Sequence, residues 1–157
     1  MIPGCGDDDR ALAAFARASH GVTAIDFSPL AVERARRSRP QLADQIILGD
    51  FFEYDFGAGA FDVVYERTFL CSMPPRLWND YAKRVAELLR PSGTLAGFFF
   101  YGVEPDPPPF GLSDSKALEI FGSRFHLRNS EPVQDSLPIF AGRELWQEWQ
   151  RAADLGN

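Results

Sequence analysis

The chain of 157 residues opens with MIPGCGDDD, and its first chemistry-bearing feature is the pair Gly4 and Gly6. A Gly-x-Gly turn lets backbone approach a ligand closely; in dinucleotide enzymes it also brings a helix N-terminus up to a pyrophosphate. The third glycine of that fingerprint would fall at position 9, which is Asp9, preceded by Asp7 and Asp8. Such carboxylates occupy the positive end of the helix dipole themselves and repel phosphate. No Gly-Lys-Ser/Thr follows to make a P-loop. A phosphate-free nucleoside with an amino-acid arm and a positive sulfur suits the turn better, because its cationic groups favour nearby carboxylates and carbonyls. The plainer reading is that the acids cap the helix, and at least one is expected to do so.

Two further acids follow at intervals that matter. Asp26 ends the stretch VTAID, about 20 residues beyond the glycines, where an acid can take both ribose hydroxyls. Its alternative role is a helix cap, which Ser28 also offers. Asp50 ends the next stretch and precedes Phe51 and Phe52. An acid there can accept from an adenine amino group while a phenyl ring covers the base. The alternative is that one or both rings belong to the core.

The elements that must carry these residues alternate. Residues 11–18 (ALAAFARA) are strong helix formers. Residues 22–26 form a short β-branched strand, and Ser28-Pro29 opens a helix running to about Arg37. Residues 45–48 and 61–65 read as strands. Residues 75–89 form a long amphipathic helix, with Leu77, Tyr81, Val85 and Leu88/Leu89 at helical spacing, which Arg90-Pro91-Ser92-Gly93 ends. Residues 94–101 form an apolar buried strand. Residues 103–111 (VEPDPPPFG) can be neither helix nor central strand, and serve either as a lid or as a rigid connection. Ser113 or Asp114 caps a short helix through Phe121, and residues 124–128 make a strand. The tail, 143–155, fits either helix or strand. The order is that of an α/β fold with a mainly parallel sheet in a single domain, 1–157.

Composition narrows the function classes. The formal net charge is -6, which disfavours nucleic acid. Arg34, Arg36, Arg37 and Arg39 share one helix and read as a solvated face. Cys5 and Cys71 have no metal spacing and no disulfide framework. No signal peptide or membrane span is evident, so a soluble cytoplasmic protein is the default. The 14 phenylalanines pack a sheet core or line a ligand pocket. His20 and His126 lie away from strand carboxyl ends, so no general base stands out.

The stretches IPGCG (2–6), VTAIDFSP (22–29), GDFF (49–52), FDVVYERTFLC (61–71), LRPSG (89–93) and PPFG (108–111) together resemble class I S-adenosylmethionine (SAM) methyltransferases. Within that class the chain is similar to the thiopurine S-methyltransferase branch, with its thiol and halide methyltransferases. The resemblance implies a Rossmann-like seven-stranded, mainly parallel sheet with helices on both faces, an antiparallel last strand over 144–151 and a truncated first strand. It implies SAM as cofactor and a small soft nucleophile (thiol, thiopurine, halide or chalcogenide) as acceptor. It places Gly4, Cys5 and Gly6 beside the methionine part, Asp26 and Phe27 at the ribose, and Asp50 and Phe51 at the adenine. Glu66 falls at an ammonium contact, where many relatives carry Asp. Arg67 falls near the SAM carboxylate and the acceptor, a place suited to a guanidinium fork, with a surface ion pair to Glu66 as its plainer role. Both cysteines read as small supporting residues.

Two departures accompany the resemblance: Asp8 stands where relatives often have glycine, and the family's aromatic N-terminal segment is not seen. A degenerate chain with weak SAM binding and no activity is therefore a second reading. A nicotinamide-dependent dehydrogenase is a third, against which Asp7, Asp8 and Asp9 argue.

Overall fold

The computed structural model describes residues 1–7 and 10–153, so Asp8, Asp9 and the last residues of the expected tail element lie outside the described residues. The chain divides into two compact units, Met1–Asp55 and Phe56–Asn157.

The first unit holds β1 (Ile2–Pro3), α1 (Arg10–Arg17), β2 (Ala24–Asp26), α2 (Pro29–Ser38), a 3-10 segment (Pro40–Gln45) and β3 (Ile46–Leu48). The strands run parallel in the order β1-β2-β3, with Ile2 opposite Ala24 and Asp26 opposite Leu48. All three residues of β2 are buried, as in a central parallel strand. The sequence signal for α2 holds in detail: the Ser28 hydroxyl accepts from the Ala31 N–H at 3.3 Å and Pro29 takes the first turn. The arginine face of α2 is not simply solvated. Arg36 donates through Nε and Nη2 to the Ile46 carbonyl at 3.1 and 2.6 Å, which pins α2 to β3. Arg34 pairs with Asp7 at 3.5 Å, and Arg37 bonds Glu33.

The second unit holds β4 (Phe61–Arg67), α3 (Phe69–Ser72), α4 (Trp78–Leu88), β5 (Leu89–Phe100), α5 (Asp114–Phe121), β6 (Phe125–Pro132) and β7 (Glu144–Arg151). Its sheet is mixed, in the order β4-β5-β7-β6, with β4 and β5 parallel and β7 antiparallel to both its neighbours. The tail is therefore a strand: Gln147 and Trp149 are buried on one face, while Trp146, Glu148 and Gln150 take the other. Phe121 anchors the aromatic core, with ring centres 5.9 Å from Phe99, 5.9 Å from Phe125 and 5.0 Å from Trp149.

Two expectations change. Among the described residues seven strands are present, but as a three-stranded parallel sheet and a four-stranded mixed one; a single seven-stranded sheet is not confirmed. Strand β1 has only two residues of ladder backbone, and both pair with β2. Strand β5 also starts at Leu89 rather than Thr94. The irregularity where Phe61 faces Leu89 and Val63 faces Thr94 absorbs the Pro-Ser-Gly turn. Gly93 is required there, because a Cβ would lie 2.9 Å from the Arg90 carbonyl oxygen and 3.0 Å from that of Asp62.

Candidate functional site

In the first unit the glycine turn and the acid that ends β2 are one structure. Gly4 and Gly6 have φ of 56° and 57°, the left-handed region that only glycine enters without cost. The Cys5 N–H donates to the Ile25 carbonyl at 3.1 Å, continuing the β1–β2 ladder into the turn. The Gly6 N–H then donates to Asp26 Oδ2 at 2.8 Å, and the Ser28 N–H donates to Asp26 Oδ1 at 2.8 Å. Asp26 is 9% exposed. An ionised carboxylate offers about four lone-pair sites, so each oxygen keeps one after these bonds. A Cβ at Gly6 would meet no atom of the described residues within 4 Å, so there is open space at that position.

Beside this turn stands an apolar rim. Phe27 is 76% exposed, and Leu48, opposite Asp26 in the ladder, is also exposed. Asp50 is exposed, and its Oδ1 accepts from the Phe52 N–H at 2.7 Å in an Asx turn. Phe51 is 4% exposed and packs edge-on against Phe52 at 5.3 Å, which places its ring in the core of this unit. Of Phe27, Phe51 and Phe52, it is Phe27 and the half-buried Phe52 that keep free ring surface.

In the second unit Glu66 and Arg67 end β4 and, as neighbours on a strand, point to opposite faces. Glu66 is 1% exposed. Its Oε1 accepts from the N–H groups of Phe69 and Leu70 at 2.8 and 2.9 Å, and its Oε2 from the Tyr81 hydroxyl at 2.5 Å. Burial pushes its carboxyl up to about 7, against the pull of these three donors. Burial and the Glu66 charge also raise Tyr81. The Arg67 guanidinium lies 4.5 Å over the Phe98 ring. Phe98 is itself edge-on to Tyr65 and Trp146. Among the described residues Arg67 has no ion pair, which removes the surface bridge to Glu66 as its role.

Neither cysteine is activated. Burial and the Asp26 charge push the Cys5 thiol up to about 12; burial with the Glu66 and Glu144 charges does the same at Cys71. His20 and His126 are exposed. Among the described residues no group of three His, Cys, Asp or Glu is placed to hold a metal, and no helix is long and apolar enough to cross a membrane.

Residue Arg143, passed over in the sequence, ties down the proline-rich segment. It donates to the Val103 carbonyl at 3.2 Å, to Glu104 Oε2 at 3.1 Å and to the Ile139 carbonyl at 2.9 Å, while lying 4.8 Å over Phe100. The Phe110 N–H donates to the Cys71 carbonyl at 2.7 Å and the Leu112 N–H to that of Phe100 at 2.8 Å. Of the two readings open for residues 103–111, the rigid connection fits this bonding. A lone arginine before a strand carries no signal that it will reach four partners. The segment borders an open groove of about 170 Å³, with Pro75, Pro107 and Phe110 among its walls.

Comparison with known proteins gives a consistent picture. The family model described as thiopurine S-methyltransferase matches residues 1–151. A probable thiol methyltransferase 2 of Arabidopsis thaliana is 30% identical over 121 residues, which cover 74% of this chain and 53% of that protein. The chain thus spans about half the length of that relative. Thiocyanate methyltransferase 1 of Brassica oleracea is 28% identical over 157 residues, covering 96% of this chain and 69% of its own. Among solved structures, a SAM-dependent methyltransferase from Methanosarcina mazei superposes with a TM-score of 0.79 at 15% identity, over 98% of this chain and 92% of that one. At that identity the likeness shows the fold, an α/β methyltransferase fold.

Proposed function

The chain belongs to the thiopurine S-methyltransferase family, and from that premise we propose that it transfers a methyl group from SAM to a small soft nucleophile: a thiol, thiopurine, halide or chalcogenide. The observation that carries the reading is the Asp26 carboxylate. It is locked to the glycine turn by the Gly6 N–H and to α2 by the Ser28 N–H, and keeps a free lone pair on each oxygen. Two adjacent hydroxyls of a ribose match two spare acceptors.

The other residues fit the same ligand. The turn at Gly4, Cys5 and Gly6 is open above Gly6 and carries no side chain there, which suits the amino-acid arm. The exposed Phe27 ring gives an apolar surface next to Asp26, and Asp50 holds an acceptor for the adenine amino group. Phe51 supports this wall from the core. The acidic residues near the turn match a cofactor without phosphate. When bound, SAM supplies a methyl group already activated by a positive sulfur.

What remains for the chain is alignment and exclusion of water. Arg67 presents a planar cation on an aromatic face, suited to a carboxylate or to an acceptor that is already anionic. Such an acceptor needs no strong base. That agrees with the exposed histidines and with thiols that burial keeps protonated at neutral pH.

The test is formation of S-adenosylhomocysteine (SAH) from SAM, followed chromatographically, with sodium hydrosulfide, potassium iodide, potassium thiocyanate and thiophenol offered separately. Turnover above the protein-free rate with at least one acceptor is expected. A thermal-shift comparison of SAM with NAD accompanies it. Stabilisation by NAD and not by SAM, with no turnover, would reject the reading.

A further inference from the structure

Glu66 is fully enclosed, and its contacts are with its own chain. It stands one residue before the end of β4, and the residue after Arg67, Thr68, has φ 61° and ψ 1°. That left-handed conformation is unfavourable for a β-branched side chain and persists only where neighbours impose it. The neighbours that impose it are visible. Glu66 Oε1 gathers the N–H groups of Phe69 and Leu70, two amides that the start of α3 leaves without helical partners. Glu66 Oε2 is held from α4 by the Tyr81 hydroxyl. One turn earlier on α4, the Trp78 indole N–H is shared by the carbonyls of Leu70 and Met73 at 3.0 and 3.1 Å. The turn after β4 is therefore clamped to α4 at its first residues and at its last.

Arg67 lies within that clamp on the opposite face of the sheet, in ladder register with Phe98, whose ring it covers. Its side chain has no ion pair among the described residues, so the backbone on either side of it sets its aim. The carbonyl of Cys71, at the far end of the turn, accepts from Phe110, so the same turn also anchors the proline-rich segment.

We propose that Glu66 and Tyr81 are positioning residues: the buried carboxylate, oriented by the phenol, fixes the turn after β4 and thereby lays Arg67 across Phe98. Glu66 acts through Arg67 and not by touching cofactor or acceptor. In its kinetic part the proposal rests on the methyl-transfer reading; in its structural part it does not.

The experiment separates the two. In the 15N-labelled full chain, the Arg67 Nε–Hε signal, identified by its loss in Arg67→Ala, is displaced by the ring current of Phe98, and Phe98→Leu cancels the displacement. Glu66→Leu is expected to return the signal to its free position. Glu66→Gln is expected to leave it in place, since an amide oxygen can still accept both turn N–H groups. Where Glu66→Leu does not fold, Tyr81→Phe carries the measurement, and a shift toward the free position is expected. An undisplaced wild-type signal, or one unmoved in a folded Glu66→Leu or Tyr81→Phe protein, overturns the proposal.

The kinetic arm follows SAH formation with thiophenol in Arg67→Ala, Glu66→Leu and the double variant. Acting through Arg67, Glu66→Leu should add less than about twofold to the loss already caused by Arg67→Ala. Losses that multiply would mean a separate structural role and overturn the proposal. A wild-type protein with no turnover speaks against methyl transfer, and the spectrum still decides the positioning.

Discussion

Replacing Glu66 by glutamine should make the protein more stable, by an amount that grows as the pH rises from the unfolded carboxyl value of 4.5 and levels off above the folded value of about 7. The carboxyl rises from 4.5 to about 7 on folding, chiefly because burial penalises its charge, opposed by the bonds from Tyr81, Leu70 and Phe69. An acid that holds its proton more tightly when folded adds stability that is fully present below the unfolded value. That stability is lost as the pH rises through the folded one. Across this interval each pH unit costs about 1.4 kcal/mol, so the whole step is about 3 kcal/mol. Glutamine matches the protonated form in shape and has no proton to lose. Urea unfolding of both proteins at pH 5 and pH 8 isolates this group, because every other titration cancels in the difference. Near pH 5 the two should differ little. At pH 8 Glu66→Gln should be ahead by up to about 3 kcal/mol, which moves its urea midpoint by roughly 1 M or more. A difference that does not change with pH, or one that favours wild type at pH 8, would refute the reasoning.

Gly97→Ala should destabilise by about 3 kcal/mol or more, since its Cβ would lie 1.9 Å from the Glu66 carbonyl oxygen and neither strand can give way; an unchanged melting temperature contradicts this. Arg143→Ala removes the donors that hold Val103, Glu104 and Ile139, and should speed hydrogen exchange at the Phe110 and Leu112 amides; unchanged protection would show the segment is held by other means. Cys5 and Cys71 should resist an aromatic disulfide reagent at pH 8 until the protein is unfolded, and Cys71→Ala should retain SAH formation; rapid labelling of the native protein would contradict the burial that keeps both thiols neutral.

Much of the fold was legible because it rests on local signals. Ser28-Pro29 capped α2, Ser113 capped α5, and the buried apolar run formed the core of β5, all as the sequence implied. The tail was not legible from period alone, because Leu145, Trp146 and Trp149 suit a helix as well as a strand. Only its pairing between β5 and β6 decides, and that is a long-range fact. The start of β5 was missed for a similar reason: Pro91, Ser92 and Gly93 signal a stop, yet the irregular β4–β5 ladder accommodates them. In the candidate site, Gly4, Gly6 and Asp26 could be read from spacing, and the structure joins Gly6 to Asp26 by a hydrogen bond. The roles of Glu66 and Arg143 could not, because each depends on partners distant in sequence, Tyr81 for one and Val103 with Glu104 for the other.

In the proposed site the Gly4–Gly6 turn receives the amino-acid arm of SAM and Asp26 its ribose. Calorimetric titration of SAH into wild type and into Asp26→Ala tests this most directly. Wild type is expected to bind. Asp26→Ala should lose about 1.5–3 kcal/mol, the worth of hydrogen bonds to a charged acceptor, which is a weakening of roughly 10- to 150-fold. Equal SAH affinity in the two proteins, or no binding to the wild type, would contradict the account.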